Sequence, residues 1–230
     1  MKIMSFNTQH CLNYLEQKID YEIMASAINS QGADIVGLNE MHDDGEGAVY
    51  GSQVERLSQL TELKYYYFAK AIDDVKGPYG NAILSKYKII NASTITIPDP
   101  YPKKYKDCYE TRCILKAELE NGYTILVTHF GLNPDEQENA VKTILEIIKD
   151  EKCILMGDFN VAPSSELLVP LRERMMDTAE AFNENKLSFP SDNPTIKIDY
   201  IFISKDITLK DADIPSIIAS DHRPHTATIE

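Results

Sequence analysis

The chain of 230 residues contains no tryptophan, only four cysteines, and fewer basic than acidic side chains. Without tryptophan, any aromatic stacking on a flat ligand has to use tyrosine or phenylalanine. The cysteines show no C-x-x-C spacing, so we interpret them as reduced, small hydrophobic residues and expect neither a disulfide framework nor a zinc site. They are Cys11, Cys108, Cys113 and Cys153.

Long apolar segments are also missing. No hydrophobic run approaches the length of a membrane span, and the first residues lack the apolar centre of a signal peptide. We therefore expect a cytoplasmic protein without stable membrane insertion.

The charge balance restricts the class of partner. Subtracting 36 acidic from 23 basic side chains leaves a formal charge of −13, which argues against holding nucleic acid by diffuse cationic attraction. A local basic patch is still compatible with this total, and the loop 98–112 combines Lys103, Lys104 and Lys106 with three tyrosines. Two interpretations stay open: a surface that binds a phosphate-bearing ligand by charge and stacking, and a solvated loop with aromatic packing anchors.

Apolar runs of strand length alternate with amphipathic helical patterns, which predicts one layered α/β or α+β domain covering residues 1–230. Helices are predicted at about 19–31, 53–63 and 134–148, with shorter helical pieces between 164 and 183. Strands are predicted at about 3–7, 34–39, 65–70, 81–86, 88–97, 113–119, 123–130, 152–156, 198–204 and 225–230.

Two local signals fix parts of this pattern. The dipeptide Asn121-Gly122 between two apolar runs is typical of a β-hairpin turn. The segment Asn133-Pro134-Asp135-Glu136 is typical of a helix start, because it offers an amide at the cap, proline at the first position and glutamate three residues after the cap.

Polar side chains recur where the predicted strands end. Asn7, Glu40 and His129 each close an apolar run, and the run KCILMGDFN ends with Asp158 and Asn160. Side chains two positions apart point to the same side of a strand, so this acid and amide could orient one water molecule. Asp and Asn are also common turn residues, and that interpretation stands beside the catalytic one.

Asp199 interrupts the otherwise apolar strand predicted at 198–204. A buried carboxylate needs a charged or hydrogen-bonding partner. One interpretation is a satisfied core acid, or a first strand residue that faces solvent. The other is a carboxylate that orients a histidine, for which His222 in the segment SDHRP is the candidate.

Short motifs occur in an order that resembles the endonuclease/exonuclease/phosphatase superfamily, with its deoxyribonuclease I-like fold. They span about residues 3–229 and read SFN, LNE, YGNAILSK, ETR, THF, GDFN, IDYIF and SDHRP. Each tripeptide alone is a weak signal, whereas GDFN followed by IDYIF and SDHRP is a specific combination. The resemblance implies a four-layer sandwich, in which two mixed β-sheets pack face to face with helices outside, and hydrolysis of phosphate esters with Mg²⁺ or Mn²⁺.

The resemblance also implies a role for each polar residue at the strand ends. The metal-side residues would be Glu40 as principal ligand, Asn7 beside the metal directly or through water, and Asp221. Asp158 would accept a proton from the attacking water or orient it, and a protonated His222, held by Asp199, would donate to a phosphate oxygen. The implied catalytic set is His129, Asp158, Asn160, Asp199 and His222, and the implied substrate-contacting set is Arg112, Asn81, His129 and Asn160.

Two positions depart from the family pattern. Gln9 stands where some nucleases carry a second acidic metal ligand, and His129 stands where certain abasic-site nucleases have tyrosine. Both departures weaken an abasic-endonuclease assignment without removing hydrolytic chemistry. The formal charge of −13 favours a small or lipid-derived phosphoester over DNA or RNA, which remain the alternative. A non-catalytic binding domain on the same fold is a minor alternative.

Overall fold

A parallel strand pair lies at the centre of each of two mixed sheets in the computed structural model, which describes residues 1–106, 108–182 and 184–230. The strands are β1 (Lys2–Asn7), β2 (Leu12–Asn13), β3 (Lys18–Ile19), β4 (Ile35–His42), β5 (Tyr65–Asp74), β6 (Gly77–Ser85), β7 (Ile89–Thr96), β8 (Cys113–Leu119), β9 (Thr124–His129), β10 (Cys153–Asp158), β11 (Met175–Asp177), β12 (Asp199–Ser204), β13 (Leu209–Asp213) and β14 (His225–Ile229). The α-helices are α1 (Tyr21–Gln31), α2 (Gln53–Leu60), α3 (Pro134–Ile147) and α4 (Val169–Arg174). Single turns of 3₁₀-helix cover Gln9–Cys11, Glu166–Leu168 and Thr178–Ala181. Within the described ranges, none of the helices combines the length and apolarity that a membrane crossing requires.

Each large sheet has six strands. The first has the order β13-β14-β1-β4-β6-β5, and the second has the order β11-β12-β10-β9-β8-β7. β1 runs parallel to β4 and β9 runs parallel to β10, whereas the other neighbouring strands are antiparallel. Asn7 at the end of β1 hydrogen bonds Asp158 at the end of β10, so the two parallel pairs end at the same edge of the molecule.

Aliphatic side chains fill the space between the two sheets. Ile3, Ile35 and Ile83 of the first sheet share one buried cluster with Val127 and Met156 of the second. Full burial of a side chain of this size contributes about 1.5 to 3 kcal/mol. α1 and α2 cover the outer face of the first sheet, and α3 and α4 cover that of the second. The layer order is therefore helix, sheet, sheet, helix, and the predicted four-layer sandwich of mixed sheets is confirmed.

Local sequence signals set the helix ends. The Asp20 carboxylate accepts a hydrogen bond from a backbone N–H in the first turn of α1, at 3.1 Å. The same helix ends at Gly32, whose φ of 59° is left-handed. At the start of α3, the Glu136 carboxylate accepts from the Asn133 backbone N–H at 3.1 Å, so the predicted helix start is confirmed.

Differences from the sequence prediction lie at element ends and in short strands. β8 and β9 form the predicted hairpin, whereas β4 continues beyond the predicted 34–39 through Glu40 to His42. The segment 164–183, predicted as helical pieces, also contains β11, and the sequence pattern does not predict β13. These strands have only three and five residues, too few to show a hydrophobic period. Asn183, at the end of that segment, lies outside the described residues.

Candidate functional site

Strand ends from both sheets bring most of the predicted polar residues into one site. Asn7 ends β1 in the first sheet, and His129 ends β9 in the second, beside Asp158 of β10. Asp199 is the first residue of β12 and pairs with Asp158 across the antiparallel ladder. The residues brought together are Asn7, Glu40, Arg112, His129, Asp158, Asn160, Asp199, Asp221 and His222.

Backbone geometry explains why the GDFN motif has this composition. Gly157 has a φ of 149°, and a Cβ there would lie 1.8 Å from the Thr128 carbonyl oxygen. β10 ends at Asp158, and Asn160 adopts a left-handed φ of 52°. The Asn160 backbone N–H donates to Asp158 Oδ1 at 2.9 Å. The Asn160 side chain therefore reaches the site through a tight turn after β10, and the explanation by strand alternation is wrong beyond Asp158.

The Asp158 carboxylate lies at the centre of the site and is almost fully buried. Its Oδ2 accepts a hydrogen bond from Asn7 Nδ2 at 3.1 Å, and it lies 3.5 Å from His129 Nε2 and 3.6 Å from His222 Nε2. Burial raises the pKa of Asp158 to about 7; the charge of His222 opposes this rise and that of Asp199 adds to it. The carboxylate thus titrates near neutrality.

Asp199 and His222 form a buried pair. His222 Nδ1 lies 2.9 Å from Asp199 Oδ2, and both residues are at most 4% exposed. Burial alone would lower the pKa of His222, but the carboxylates of Asp199 and Asp158 outweigh it and raise the pKa to about 10. The imidazole is therefore protonated at neutral pH. Asp199 does not face solvent, and its position matches the histidine-orienting interpretation.

Two of the predicted metal-side residues, Asn7 and Glu40, are joined by a hydrogen bond beside Asp158. Asn7 Nδ2 donates to Glu40 Oε1 at 3.0 Å as well as to Asp158, and Asn7 Oδ1 accepts from the Gln9 backbone N–H at 3.1 Å. The Asn7 amide therefore bridges the two carboxylates. Burial raises the pKa of Asp221; the charge of His222 opposes the rise and the Glu40 carboxylate adds to it.

Arg112 fixes His129 from behind. Arg112 Nη1 donates to His129 Nδ1 at 3.1 Å and pairs with Glu110 Oε1 at 2.7 Å. Because Nδ1 accepts this bond, the neutral ring carries its proton on Nε2, which lies 3.5 Å from Asp158 Oδ2. Asn160 Nδ2, 3.2 Å from Nε2, is then a second donor and makes no hydrogen bond to it. Burial, with a contribution from the Arg112 charge, holds the pKa of His129 well below its usual range. His129 is therefore a neutral imidazole with its N–H directed into the site.

Asn81 is the predicted substrate-contacting residue that the structure does not bring to the site surface. It is 2% exposed, and its Nδ2 donates to the Cys113 carbonyl at 3.0 Å while its Oδ1 accepts from Asn39 Nδ2 at 2.8 Å. Asn39 in turn accepts from the Asp158 backbone N–H at 3.0 Å. Asn81 thus supports Asp158 through Asn39, because its polar atoms are already used inside the protein.

The sequence prediction missed two histidines next to Glu40. His10 Nε2 lies 3.6 Å from Glu40 Oε2, and His10 Nδ1 lies 3.0 Å from His42 Nε2. Burial lowers the pKa values of both imidazoles. Tyr50 and Tyr79 pack against the two rings. The sequence offered one signal for each residue. His10 comes three residues after Asn7, and His42 comes two residues after Glu40.

The basic loop 98–112 has both packed and exposed tyrosines. The Tyr109 hydroxyl donates to Asp135 Oδ2 at 2.9 Å, and Lys103 Nζ lies 4.8 Å from the centre of the Tyr109 ring. Tyr101, in contrast, is 98% exposed. Tyr109 is therefore a packing anchor, whereas the exposed part of the loop stays available to a ligand. Asp107 of this loop lies outside the described residues.

Three buried residues of the site also lie close enough together to bind a cation, if only distances are considered. Asp158, Asp199 and His222 each offer one ligand atom within 4.8 Å of the others. However, Asp199 already accepts from His222, and a protonated imidazole repels a cation. We therefore interpret these three residues as a proton-holding group, and the carboxylates of Glu40 and Asp221 are the other residues here that could hold a cation.

Comparison with known proteins agrees with this geometry. A model of the Endonuclease/Exonuclease/phosphatase family matches residues 4–222. The chain belongs to this family. The UPF0294 protein of Vibrio campbellii is 26% identical over 147 residues, a match that covers 59% of this chain and 49% of that protein. The chain thus spans about half the length of the curated relative that it matches.

Solved structures share the fold. An endonuclease/exonuclease/phosphatase from Bacteroides vulgatus is similar with a TM-score of 0.76 and 21% identity, over 100% of this chain and 98% of that chain. A mannosyl-6-phosphatase from Bacteroides thetaiotaomicron is similar with a TM-score of 0.76 and 16% identity, over 100% of this chain and 99% of that chain. At these identities the similarity shows a deoxyribonuclease I-like fold for this family member.

Proposed function

We propose that this family member hydrolyses a phosphate ester by attack of an activated water molecule, in a reaction that depends on Mg²⁺ or Mn²⁺. One observation carries the proposal: side-chain nitrogens of Asn7, His129 and His222 surround the buried Asp158 Oδ2 at 3.1, 3.5 and 3.6 Å. A carboxylate held in this way among donors is suited to orient a water molecule towards a bound phosphate.

Asp158 is the proposed general base. Its pKa of about 7 places it where a base works best near neutral pH, because it is then ionised yet still holds a proton well. Asn160, held by its hydrogen bond to the Phe130 carbonyl at 3.1 Å, would place the water or a phosphate oxygen beside Asp158. General-base help of this kind contributes about 10² to 10⁴ in rate.

His222 and His129 are the proposed donors to the phosphate. His222 carries a positive charge at neutral pH, because Asp199 and Asp158 raise its pKa to about 10. It can stabilise negative charge that develops on a phosphate oxygen. His129 offers a neutral N–H at the same site, and Arg112 holds the ring in the required tautomer. Arg112 itself is mostly buried, so we assign it to positioning His129 and Glu110.

The donor set fits a hard divalent cation. The Glu40 carboxylate is close enough to Asp221 for its charge to contribute to the raised pKa of Asp221, and Asn7 adds an amide. Glu40 would be the principal ligand, with Asp221 and Asn7 completing or ordering the ligand set. When bound, the cation would neutralise phosphate charge and polarise the ester.

The charges around the site favour a small or lipid-derived phosphoester. The loop after β4, which begins three residues beyond Glu40, carries Asp43, Asp44 and Glu46. Asp73, which pairs with Lys70, lines the same depression. We infer that these carboxylates disfavour the extended phosphate backbone of DNA or RNA more than they disfavour a single phosphate group. The mannosyl-6-phosphatase with the same fold makes sugar phosphates natural first substrates to test.

A panel of substrates with defined metals tests the proposal. Purified protein, freed of metal by chelation, is assayed with sugar phosphates, lipid headgroup phosphoesters, RNA and plasmid DNA, each with Mg²⁺, Mn²⁺ or no cation. We expect turnover of a small or lipid-derived phosphoester that is lost on chelation and restored by the cation. Faster cleavage of DNA or RNA at physiological salt would replace our substrate class with a nuclease. No metal-dependent turnover of any substrate would favour a non-catalytic binding domain.

We also propose a cytoplasmic location. Cys11, Cys108, Cys113 and Cys153 are all free thiols in the structure, which is typical of a reducing compartment. Fractionation of cells that express the tagged protein tests this location.

A further inference from the structure

His10 lies at the metal side of the site, although nothing in the family motifs points to it. We propose that His10 Nε2 and the Glu40 carboxylate bind the same divalent cation, and that this nitrogen ligand makes the site prefer Mn²⁺ and similar transition-metal ions to Mg²⁺. The proposal rests on the proposed function only in that both use Glu40 as a metal ligand.

The distance between the two groups suits a shared cation. His10 Nε2 and Glu40 Oε2 are 3.6 Å apart, which is too long for a good hydrogen bond. Two metal–ligand bonds of about 2.1 Å each can span this separation. The two side chains are about one quarter exposed, at 26% and 22%, so an ion from solvent can reach them.

The hydrogen bonds behind His10 leave its Nε2 without a proton. His10 Nδ1 and His42 Nε2 are 3.0 Å apart, so one donates and the other accepts. His42 Nδ1 is buried and has no hydrogen-bond partner among the described residues. If His42 Nε2 carried the ring proton and donated to His10, His42 Nδ1 would be an unprotonated acceptor facing Asp74 Oδ1 at 3.9 Å. The carboxylate of Asp74 therefore favours a proton on His42 Nδ1. His10 Nδ1 then donates, and His10 Nε2 presents a lone pair to Glu40.

A lone pair that faces a carboxylate oxygen makes a ready pair of ligands for a cation. His10 Nε2 and Glu40 Oε2 repel each other as two acceptors at this distance, whereas a metal ion bound by both atoms attracts each of them. The chain from Asp74 through His42 to His10 has the form found behind metal-bound histidines, where the second ring nitrogen donates to a fixed partner.

The backbone around His10 is built to hold this orientation. His10 has a left-handed φ of 58°, an unusual conformation for a side-chain-bearing residue. The fully buried Gln53 side chain donates to the His10 carbonyl at 2.7 Å and accepts from the His42 backbone N–H at 2.9 Å. One buried amide thus fixes both histidines relative to Glu40.

The donor set explains the expected metal preference. Mg²⁺ selects oxygen ligands and keeps several waters, whereas imidazole nitrogen binds transition-metal ions more strongly. A site made of carboxylates and one imidazole therefore gains affinity for Mn²⁺ from His10 and gains little for Mg²⁺.

Electron paramagnetic resonance of Mn²⁺ added to the metal-free protein tests the proposal without any substrate. Electron spin echo modulation should show ¹⁴N coupling from a bound histidine in the wild type and no such coupling in His10→Asn. Asparagine tolerates the left-handed backbone at this position, so we expect the variant to fold. By calorimetry, His10→Asn should weaken Mn²⁺ binding at least about 10-fold and Mg²⁺ binding less than about 3-fold.

His129→Gln is the matched control, because it removes another site histidine that points its N–H, not a lone pair, into the site. The ¹⁴N coupling should persist in this variant, and His42→Asn should weaken Mn²⁺ binding as the tautomer is lost. Coupling that survives in His10→Asn, or parallel losses of Mn²⁺ and Mg²⁺ affinity, would overturn the proposal. Coupling in a protein that hydrolyses none of the panel substrates would sustain it while the proposed function fails.

Discussion

His222 Nδ1 lies 2.9 Å from Asp199 Oδ2, and the other ring nitrogen of His222 lies 3.6 Å from Asp158 Oδ2. The His222 imidazole thus lies between Asp199, which orients it, and Asp158, the proposed general base. Both carboxylates favour the charged ring and raise its pKa to about 10, against the effect of burial. The arrangement keeps an acid and a base next to each other, which a hydrolytic site needs.

Replacing Asp199 by Asn should lower turnover by about 10²-fold or more, because the amide cannot hold the imidazolium by charge. The pKa of His222 should fall, since Asp199 is its largest favourable partner. Steady-state kinetics on the best panel substrate measures the first effect, and NMR titration of the His222 ring measures the second. Asp199 acts through His222, so both effects should appear together.

Asp177→Asn is the matched control for this change. Asp177 is also a buried carboxylate, but it pairs with Arg172 at 3.1 Å away from the reacting groups. We expect this variant to lose stability and to keep most of its turnover. Equal losses of turnover in the two variants would show that Asp199 matters only for folding.

Replacing Asp158 by Asn should reduce turnover at least about 10²-fold, because the amide cannot accept a proton from water. The substitution keeps the shape of the side chain and removes a charge whose burial is unfavourable. We therefore expect a thermal unfolding midpoint no lower than that of the wild type. Near-normal turnover in the folded variant would contradict the assignment of Asp158 as the base.

Several residue types at the candidate site were predictable from the sequence, because Asn7, Glu40, His129 and Asp158 follow apolar runs and the motifs occur in family order. The hydrogen-bond partners of those residues were not predictable from the sequence. Asn39 supports the Asp158 backbone from the other sheet, and the two positions are 119 residues apart in the chain. No local pattern reports a contact between sheets, so the second layer of the site depends on how the sheets pack.

The lack of sequence signals for contacts between distant residues also explains why Asn81 and His10 were placed differently from the sequence prediction. Asn81 lies within the motif YGNAILSK, yet its amide hydrogen bonds Cys113 and Asn39 inside the protein. His10 follows no predicted strand and reaches Glu40 only because the chain turns through a left-handed backbone there. The buried strand that ends at Asp158 was predictable, since its apolar run indicates burial directly.

Gly157→Ala should destabilise the fold by at least about 3 kcal/mol, because the new Cβ would overlap the backbone. That atom would lie 1.8 Å from the Thr128 carbonyl oxygen, in the next strand of the sheet. Gly32→Ala is the control, since its φ is also left-handed but nothing lies within 4 Å of the added atom. It should cost only about 1 kcal/mol. Chemical denaturation measures both, and equal losses would refute the steric argument.

Arg112→Lys should lower kcat/KM about 10-fold, although the positive charge is kept. A single ammonium group cannot donate to His129 Nδ1 and pair with Glu110 in the fixed geometry of the guanidinium. His129 would then be free to turn or to change tautomer. Arg172→Lys, at the remote pair with Asp177, should leave kcat/KM nearly unchanged. An unaltered kcat/KM in Arg112→Lys would remove Arg112 from its positioning role.

Lys197 gives a prediction for stability as a function of pH. The residue is 4% exposed, and its Nζ lies 3.3 Å from the centre of the Tyr200 ring, with no hydrogen-bond partner among the described residues. Burial lowers its pKa to about 8, against the charges of Asp177 and Asp199, and with a small contribution from Arg172. The buried His225, which Lys197 also faces, is neutral in this range because burial lowers its pKa.

Between pH 8 and the ordinary lysine pKa of 10.5, the unfolded chain therefore binds more protons at Lys197 than the folded protein does. The free energy of unfolding should rise with pH in this window, by up to about 1.4 kcal/mol per pH unit. Below pH 8 both states are protonated and this dependence disappears. Lys197→Met keeps the side-chain length without the titrating group, so the wild type should gain stability relative to this variant between pH 8 and 10. Urea denaturation of both proteins across this range measures the difference, and parallel stability curves would show that Lys197 keeps its ordinary pKa in the fold.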